Sequence, residues 1–443
     1  MKQEYVNRLI REYNPALDGR PLQVPKIRRE LFENLERWLH KKQALAIVGL
    51  RRTGKTTLLR QLMAGLGTQA AYFSFDEEET RDKETLVYII DHMLSNLGAS
   101  HIFLDEIQYV DDWEGVVKRY YDQKGVKFVL SGSESLDINR ARESLAGRLL
   151  ILKLEPLNFR EFLVLKEEGK GGNDLQRLMK PEIRNIKLWD FDAMEKLYTS
   201  FLTRKEFFEQ QFVDYIYKGA FPELVNEEDQ GIIREYIEGL VVKKIIYQDI
   251  PSMFLVKRRT LLYQLFEYAS HYSSNLFHLK TLADTFGANV ETVGNYLSYL
   301  QHAFLIRTAQ PYSGSHAKRV RRNKKLYVTA PCLAIALLGY SREMLVETLM
   351  GSLVETAFAN EYFYRDRQKH EVDVVLNEDG LVPVEVKYQG QIFSSDLKGV
   401  SVFMEKQGLG KGVVITRDIM ERRMVKGKEV LLVPAWLALL VYR

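Results

Sequence analysis

The stretch Gly49-Leu50-Arg51-Arg52-Thr53-Gly54-Lys55-Thr56-Thr57 decides how this chain is read. It follows the apolar run Ala44-Leu-Ala-Ile-Val48 and leads into Leu58-Leu-Arg-Gln-Leu-Met63, so a buried strand passes through a loop into a helix. The spacing is G-x4-G-K-T. Its glycines let backbone N–H groups curl around the β- and γ-phosphates of ATP, Lys55 reaches their oxygens, and Thr56 is placed to ligate Mg²⁺. The helix start adds the positive end of its dipole. The whole run from Gly49 to Thr57 is therefore expected to touch the nucleotide.

Downstream, His101-Ile-Phe-Leu-Asp105-Glu106 is an apolar strand ending in two carboxylates. Such an end lies at the carboxyl edge of a parallel sheet, where ligands bind. Asp105 is expected to hold the Mg²⁺ shell and Glu106 to activate the attacking water. The run Val126-Lys-Phe-Val-Leu-Ser131 continues into Gly132-Ser133. Its hydroxyls, Ser131 first, are expected beside the γ-phosphate, although Ser-Gly-Ser also makes an ordinary turn. With Ala71–Phe75, these strands alternate with helical runs between Leu31 and Leu165. That pattern predicts a parallel sheet covered on both faces.

The chain has 443 residues, 46% hydrophobic and 28% charged, with 63 Lys+Arg against 59 Asp+Glu. This is the balance of a globular protein with several cores, and it excludes disorder, collagen and disulfide scaffolds. A surplus of +4 does not argue for nucleic acid by itself, so a basic partner site must be local. The only cysteine, Cys332, suits a reducing cytosol. The charged amino terminus lacks the apolar core of a signal peptide. The run Val430–Tyr442 is too short to span a membrane and contains Pro434, so it reads as a buried strand and helix. A cytoplasmic protein with no membrane partner is expected.

These residues resemble a known family. Gly49–Thr57, Asp105-Glu-Ile-Gln108, Ser131-Gly-Ser133, Leu145-Ala-Gly-Arg148 and Pro156-Leu-Asn-Phe-Arg-Glu-Phe162 are similar to an AAA+ ATPase. The type is the archaeal and bacterial one whose carboxyl half carries a winged helix and a PD-(D/E)XK nuclease-like domain. Gly219-Ala-Phe-Pro-Glu223 and Tyr247-Gln-Asp249 resemble its middle region. The family usually has an aspartate near Ala330, where this chain departs from it. The resemblance implies an oligomer in which an arginine approaches a γ-phosphate. Arg148 is the candidate, and a surface arginine at a strand end is the other reading.

Leu279–Gly287 and Asn289–Leu300 read as helix, glycine turn, helix, with Phe304–Ile306 and Leu326–Val328 as a strand pair. The second helix offers Glu291, Asn295 and Ser298 outward, with no Lys or Arg, which weakens any base-reading role. The connecting run differs. Lys318, Arg319, Arg321, Arg322, Lys324 and Lys325 carry six positive charges and no negative one. Such a tip suits non-specific contact with DNA phosphates, and equally a solvated face or protein-docking patch.

The last candidate lies near the carboxyl end. Glu371-Val-Asp-Val-Val-Leu376 and Leu381-Val-Pro-Val-Glu-Val-Lys387 flank the turn Asn377-Glu-Asp-Gly380. Alternation puts Val372, Val374, Leu376, Val382, Val384 and Val386 on one face, and Asp373, Glu385 and Lys387 on the other. Keeping the valines together requires opposed residues whose numbers sum to an even number, and the register summing to 758 sets Asp373 against Glu385. Opposed carboxylates are unfavourable without a proton or cation between them. The arrangement resembles the D-x(n)-E-x-K set of PD-(D/E)XK nucleases. There the carboxylates ligate Mg²⁺ and the lysine handles water for phosphodiester cleavage. Glu355 matches that family's helical glutamate, though periodicity sets it opposite the Leu353/Ala357 stripe. A salt-bridged surface is the alternative.

The expected architecture is α/β. It comprises an amino-terminal segment (1–30), a P-loop AAA+ parallel-sheet core (31–165), a helical lid (166–255), a winged helix (256–330) and a restriction-endonuclease-like domain (331–443). The expected function is Mg²⁺-dependent ATP hydrolysis coupled to nucleic-acid handling, with cleavage by the last domain. The alternative is an ATP-driven switch whose nuclease-like domain only binds a partner.

Overall fold

The computed structural model describes residues 2–132, 144–167, 174–313, 323–377 and 380–442. Ser133, Lys318, Arg319, Arg321 and Arg322 lie outside them. The chain divides into two compact units, Met1–Pro156 with His302–Phe304, and Leu157–Gln301 with Leu305–Arg443.

In the first unit, β1 (Ala44–Val48), β2 (Ala70–Ser74), β3 (His101–Asp105), β4 (Lys127–Gly132) and β5 (Leu149–Lys153) form a sheet of order β2-β3-β4-β1-β5. Every pairing is parallel. Strands β1, β2 and β4 are buried along their whole length, including the polar Ser74, Lys127 and Ser131 towards the strand ends. The helices Leu31–Leu39 and Lys55–Ala64 cover one side, packing Phe32, Leu35, Leu58, Leu59 and Leu62 against Leu45, Ile47, Phe103 and Val129. The amino-terminal helix Lys2–Tyr13 lies by edge strand β2. There the Asn14 side chain accepts from Tyr72 N (2.8 Å) and donates to Tyr72 O (2.8 Å). It pairs an edge that would otherwise offer free backbone groups.

The second unit begins with a capped helix. Asn158 Oδ1 accepts from Glu161 N (2.9 Å), and Glu161 Oε2 accepts from Asn158 N (3.2 Å), starting Phe159–Lys166. Helices Phe191–Phe201 and Lys205–Lys218 follow, and then a continuous helical run from Gln230 to Met253 with π-type turns over 236–243 and 245–249. After these come helix Arg259–His271, β6 (Leu276–Phe277), helices Leu279–Thr285 and Val290–His302, β7 (Ile306–Pro311) and β8 (Lys324–Val328). Strand β8 runs antiparallel between β6 and β7. Phe304 has a φ of 58° and is a turn residue, so β7 starts later than the sequence suggests. Ala330 is the N-cap of helix Pro331–Leu338 and offers no side-chain cap. An aspartate at this position would supply one.

Helix Glu347–Phe358 leads to β9 (Tyr362–Arg365), β10 (Glu371–Val372), β11 (Val374–Asn377), β12 (Leu381–Val386), β13 (Lys411–Thr416), β14 (Glu421–Val425) and β15 (Lys428–Pro434). The last sheet has the order β11-β12-β13-β15-β14, with helix Lys398–Gln407 packed on one face through Val400, Phe403 and Met404. Pairs Val374–Val384 and Leu376–Val382 realise the register expected for this hairpin. The alternation breaks at Asp373. There the chain leaves β10, which pairs with β9, and enters β11, which pairs with β12. Val372 therefore joins Val375 in the core instead of sharing a face with Val374. Strand β9 also pairs in parallel with β7, so a sheet crosses the boundary expected at 330/331. Val430–Tyr442 is a strand and a helix buried throughout. Among the described residues, no helix is long and apolar enough to cross a membrane.

Candidate active site

The phosphate-binding loop leaves β1 at the carboxyl edge of its sheet. Gly49 (φ 156°) has no room for a side chain, since a Cβ there would lie 2.2 Å from the Leu154 carbonyl oxygen. Gly54 (φ 95°) is the left-handed N-cap of helix Lys55–Ala64. Thr53 Oγ1 donates to Leu50 O (2.8 Å), and Arg29 clamps the loop from outside by donating to Thr53 O (2.6 Å) and Glu155 O (2.8 Å). Lys55 is buried, with its ammonium 3.0 Å from Gly49 O and 3.1 Å from Leu50 O at the loop mouth.

Strand β4 separates β1 from β3, so Asp105 faces the helix start across one strand. Its buried carboxylate gathers three hydroxyls. Thr56 Oγ1 donates to Oδ2 (2.6 Å), Tyr72 OH donates to Oδ2 (2.8 Å), and Ser131 Oγ donates to Oδ1. Burial, then the Asp105 charge, push the Tyr72 phenol far above its ordinary range, so it stays a donor. Ser131 thus orients Asp105. Thr56 and Asp105 present hard oxygens side by side, a donor set that fits Mg²⁺.

Glu106 follows at φ 53°, a left-handed conformation rare outside glycine. Gln108 Nε2 donates to its Oε2 (2.5 Å). Burial raises the Glu106 pKa above the usual carboxylate value. Lys55 opposes that shift, while Asp105 and Asp76 reinforce it. A carboxylate moved towards neutrality is a better general base than a free one.

Arg148 is not brought to this loop. Its carbonyl accepts from Ala44 N (2.8 Å), which puts it at the amino edge of the sheet, and its Nε donates to Asp122 Oδ1 (2.8 Å). The loop lies at the other end of β1, roughly 16 Å away for a five-residue strand. The spacing of Leu-Ala-Gly-Arg gives no sign of this, because position along a strand depends on which edge the chain enters.

The second unit brings Glu355, Asp373, Glu385 and Lys387 together, as the nuclease resemblance implies. Lys387 Nζ donates to Glu385 Oε1 (2.5 Å), and Val386 N donates to Asp373 Oδ2 (2.9 Å). Burial, then the Asp373 charge, raise Glu385 well above its usual value, and the same two causes raise Glu355 to about 7. The sequence reading missed Lys325. Its ammonium lies 2.9 Å from Glu355 Oε1, 3.1 Å from Asp373 Oδ1 and 2.5 Å from Glu371 Oε1. Burial opposes the charge on Lys325, but Asp373 and Glu355 outweigh it and raise its pKa. Tyr327 OH completes the group by donating to Glu355 Oε1 (2.7 Å). Lys325 thus occupies Asp373 Oδ1 and Glu355 Oε1, and Lys387 occupies Glu385 Oε1, oxygens that a divalent ion at this set would need. Lys325 was legible only as part of a basic run; its side chain turns inward from a central strand.

The loop, its lysine and the acidic strand end define a P-loop nucleotide site. Residues 41–163 match the family model described as an AAA domain, which supports an AAA-type ATPase. Residues 209–343 and 343–436 match two families described as domains of unknown function, DUF8612 and DUF4143. Two uncharacterized proteins of Methanocaldococcus jannaschii are similar to this chain. One is 27% identical, covering 74% of this chain and 70% of the relative; the other is 25% identical, covering 83% and 80%. An uncharacterized protein of Mycobacterium tuberculosis is 26% identical, covering 80% and 72%. Among solved structures, an ADP complex of Hsp104 from S. cerevisiae is 15% identical at a TM-score of 0.32, covering 76% of this chain and 56% of that one. A RuvB variant of Thermotoga maritima is 18% identical at 0.28, covering 63% and 87%.

Proposed function

We propose that the chain hydrolyses ATP with Mg²⁺ and couples the reaction to handling of nucleic acid. The observation that carries the reading is the junction of Thr56, Asp105 and Glu106 beside a buried Lys55. Lys55 binds the β- and γ-phosphate oxygens, and Thr56 and Asp105 hold the metal shell. Glu106 takes the proton from the attacking water. Bound Mg²⁺ supplies charge neutralisation at the phosphates. A protein that only stores nucleotide would have no use for a base at position 106.

Nucleic-acid contact is assigned to the β7–β8 hairpin. The order helix Arg259–His271, β6, two helices, β7 and β8 supports a winged helix, and Lys324 at the start of β8 belongs to its basic run. The mixed sheet β11–β15 supports a restriction-endonuclease-like domain. Lys325 favours the reading in which this domain binds a partner and does not cleave. The resemblance to AAA+ proteins supports an oligomer completed in trans by Arg148, and the paired loop and acidic strand support a cytoplasmic, ATP-using protein. The deciding experiment is phosphate release from ATP with Mg²⁺, with and without DNA. Turnover lost in Glu106→Gln and stimulated by DNA is expected. Absence of turnover in the wild type overturns the reading, and turnover indifferent to DNA removes the nucleic-acid part.

A further inference from the structure

The buried cluster of the second unit is held by one lysine from outside the terminal sheet. Lys325 is on β8, where its backbone is fixed on both sides, opposite Leu276 of β6 and Ala309 of β7. Its side chain is only 3% exposed. An ammonium has three N–H donors, and here three carboxylates receive it: Glu355 from helix Glu347–Phe358, Glu371 from β10, and Asp373 from the crossover into β11. No donor is left over. Further carboxylate atoms of the cluster are engaged as well. Arg365 pairs with Glu371 Oε2 (2.6 Å), Lys387 with Glu385 Oε1, and Val386 N with Asp373 Oδ2. Glu385 Oε2 is buried without a partner among the described residues.

A divalent ion bound by Asp373 and Glu355 would stand about 2.0–2.6 Å from their oxygens. It would then share the space of an ammonium that is itself about 3 Å from the same atoms. Two cations so close in a buried site repel strongly, so metal and Lys325 exclude each other. Moving the Lys325 ammonium out of the cluster would leave several largely buried carboxylates without their counter-ion.

We propose that Lys325 is a resident counter-ion standing in the divalent-metal position, so that the cluster is a cation-locked joint binding β8 to the terminal sheet. The joint links β8 to the terminal sheet through side chains alone. Strand β9, paired with β7, reinforces the same connection. The domain then keeps the carboxylates of a nuclease-like centre in a form that holds the fold together and takes up no metal.

The test counts Mn²⁺ bound to the full chain without nucleotide, by loss of the free-ion electron paramagnetic resonance signal. The phosphate-loop oxygens are common to all variants and cancel. Wild type and Asp373→Asn should bind the same number of ions. Lys325→Met, close in length and apolar, should gain one ion per chain, and Lys325→Met with Asp373→Asn should lose it again. Thermal unfolding of Lys325→Met should also shift upward with Mn²⁺, while the wild type shows no such shift beyond that of Asp373→Asn. A wild-type ion lost in Asp373→Asn overturns the proposal, and that comparison stands even if Lys325→Met fails to fold. A folded Lys325→Met that gains no ion overturns it too. Because the readout is a metal count, its failure leaves the ATPase reading intact.

Discussion

Thr56 Oγ1 donates a 2.6 Å hydrogen bond to Asp105 Oδ2, joining the first turn of the phosphate-loop helix to the end of a strand two places away in the sheet. Glu106, the next residue, has its pKa raised chiefly by burial. Glu106→Gln should retain ATP binding and lose about 10²–10⁴-fold in turnover. Lys55→Ala removes a charge-assisted contact and should weaken binding about 10–100-fold. In single-turnover assays, the acid limb of the wild-type rate profile should lie above the pH at which an ordinary glutamate titrates, because the protonated form cannot act as base. Unchanged turnover in Glu106→Gln removes it from the mechanism.

Arg148 pairs with Asp122 at the far edge of the sheet from its own loop. Any role at a γ-phosphate must therefore be in a neighbouring copy. Arg148→Ala should reduce turnover, by as much as about 10³-fold if it acts as an arginine finger. Mixing it with Glu106→Gln subunits should restore part of the activity, since some shared sites then hold both intact groups. Co-assembled mixtures without rescue would exclude the trans role.

Much of the first unit could be read from the sequence. Strands β1 and β3 occupy the expected residues, because fully buried parallel strands appear as unbroken apolar runs. Keeping valines on one face limited β11 and β12 to alternate registers, and the expected one of these is formed. What could not be read depended on distant neighbours. Strand β14, with the exposed and half-exposed run Glu421–Val425, pairs only with β15 at a sheet edge and has no apolar signature. Glu355 seemed to face away from its helix's core stripe, yet Lys325 and Tyr327 meet it from another sheet. Inward and outward lysines look alike within a basic run.

The basic hairpin gives a salt-dependent prediction. Replacing Arg319, Arg321, Arg322 and Lys324 by alanine should weaken DNA binding equally across sequences. On duplex DNA it should flatten the log–log salt slope by about 0.9 per lost phosphate contact. Fluorescence anisotropy at several salt concentrations measures both. An unchanged slope with loss of a protein partner would make the hairpin a docking surface.

The buried cluster predicts how stability varies with pH. Burial, then the Asp373 charge, raise Glu355 to about 7 from the ordinary 4.5, against the opposing pull of Lys325. The folded state therefore holds a proton that the unfolded state releases at lower pH. This group's contribution is fully present below pH 4.5 and is lost as pH rises through about 7. Its size is on the order of 3 kcal/mol. Glu385, raised for the same two leading reasons, has the same sign. Unfolding midpoints measured from mildly acidic to mildly basic pH should fall across this window in the wild type. In Glu355→Gln, which keeps the side chain's shape without a titrating proton, the fall should be shallower. Tyr327 OH still has an amide oxygen to donate to in that variant, so loss of its hydrogen bond cannot explain the change in slope. A slope identical in both proteins would mean that Glu355 is already ionised beside Lys325 throughout the range.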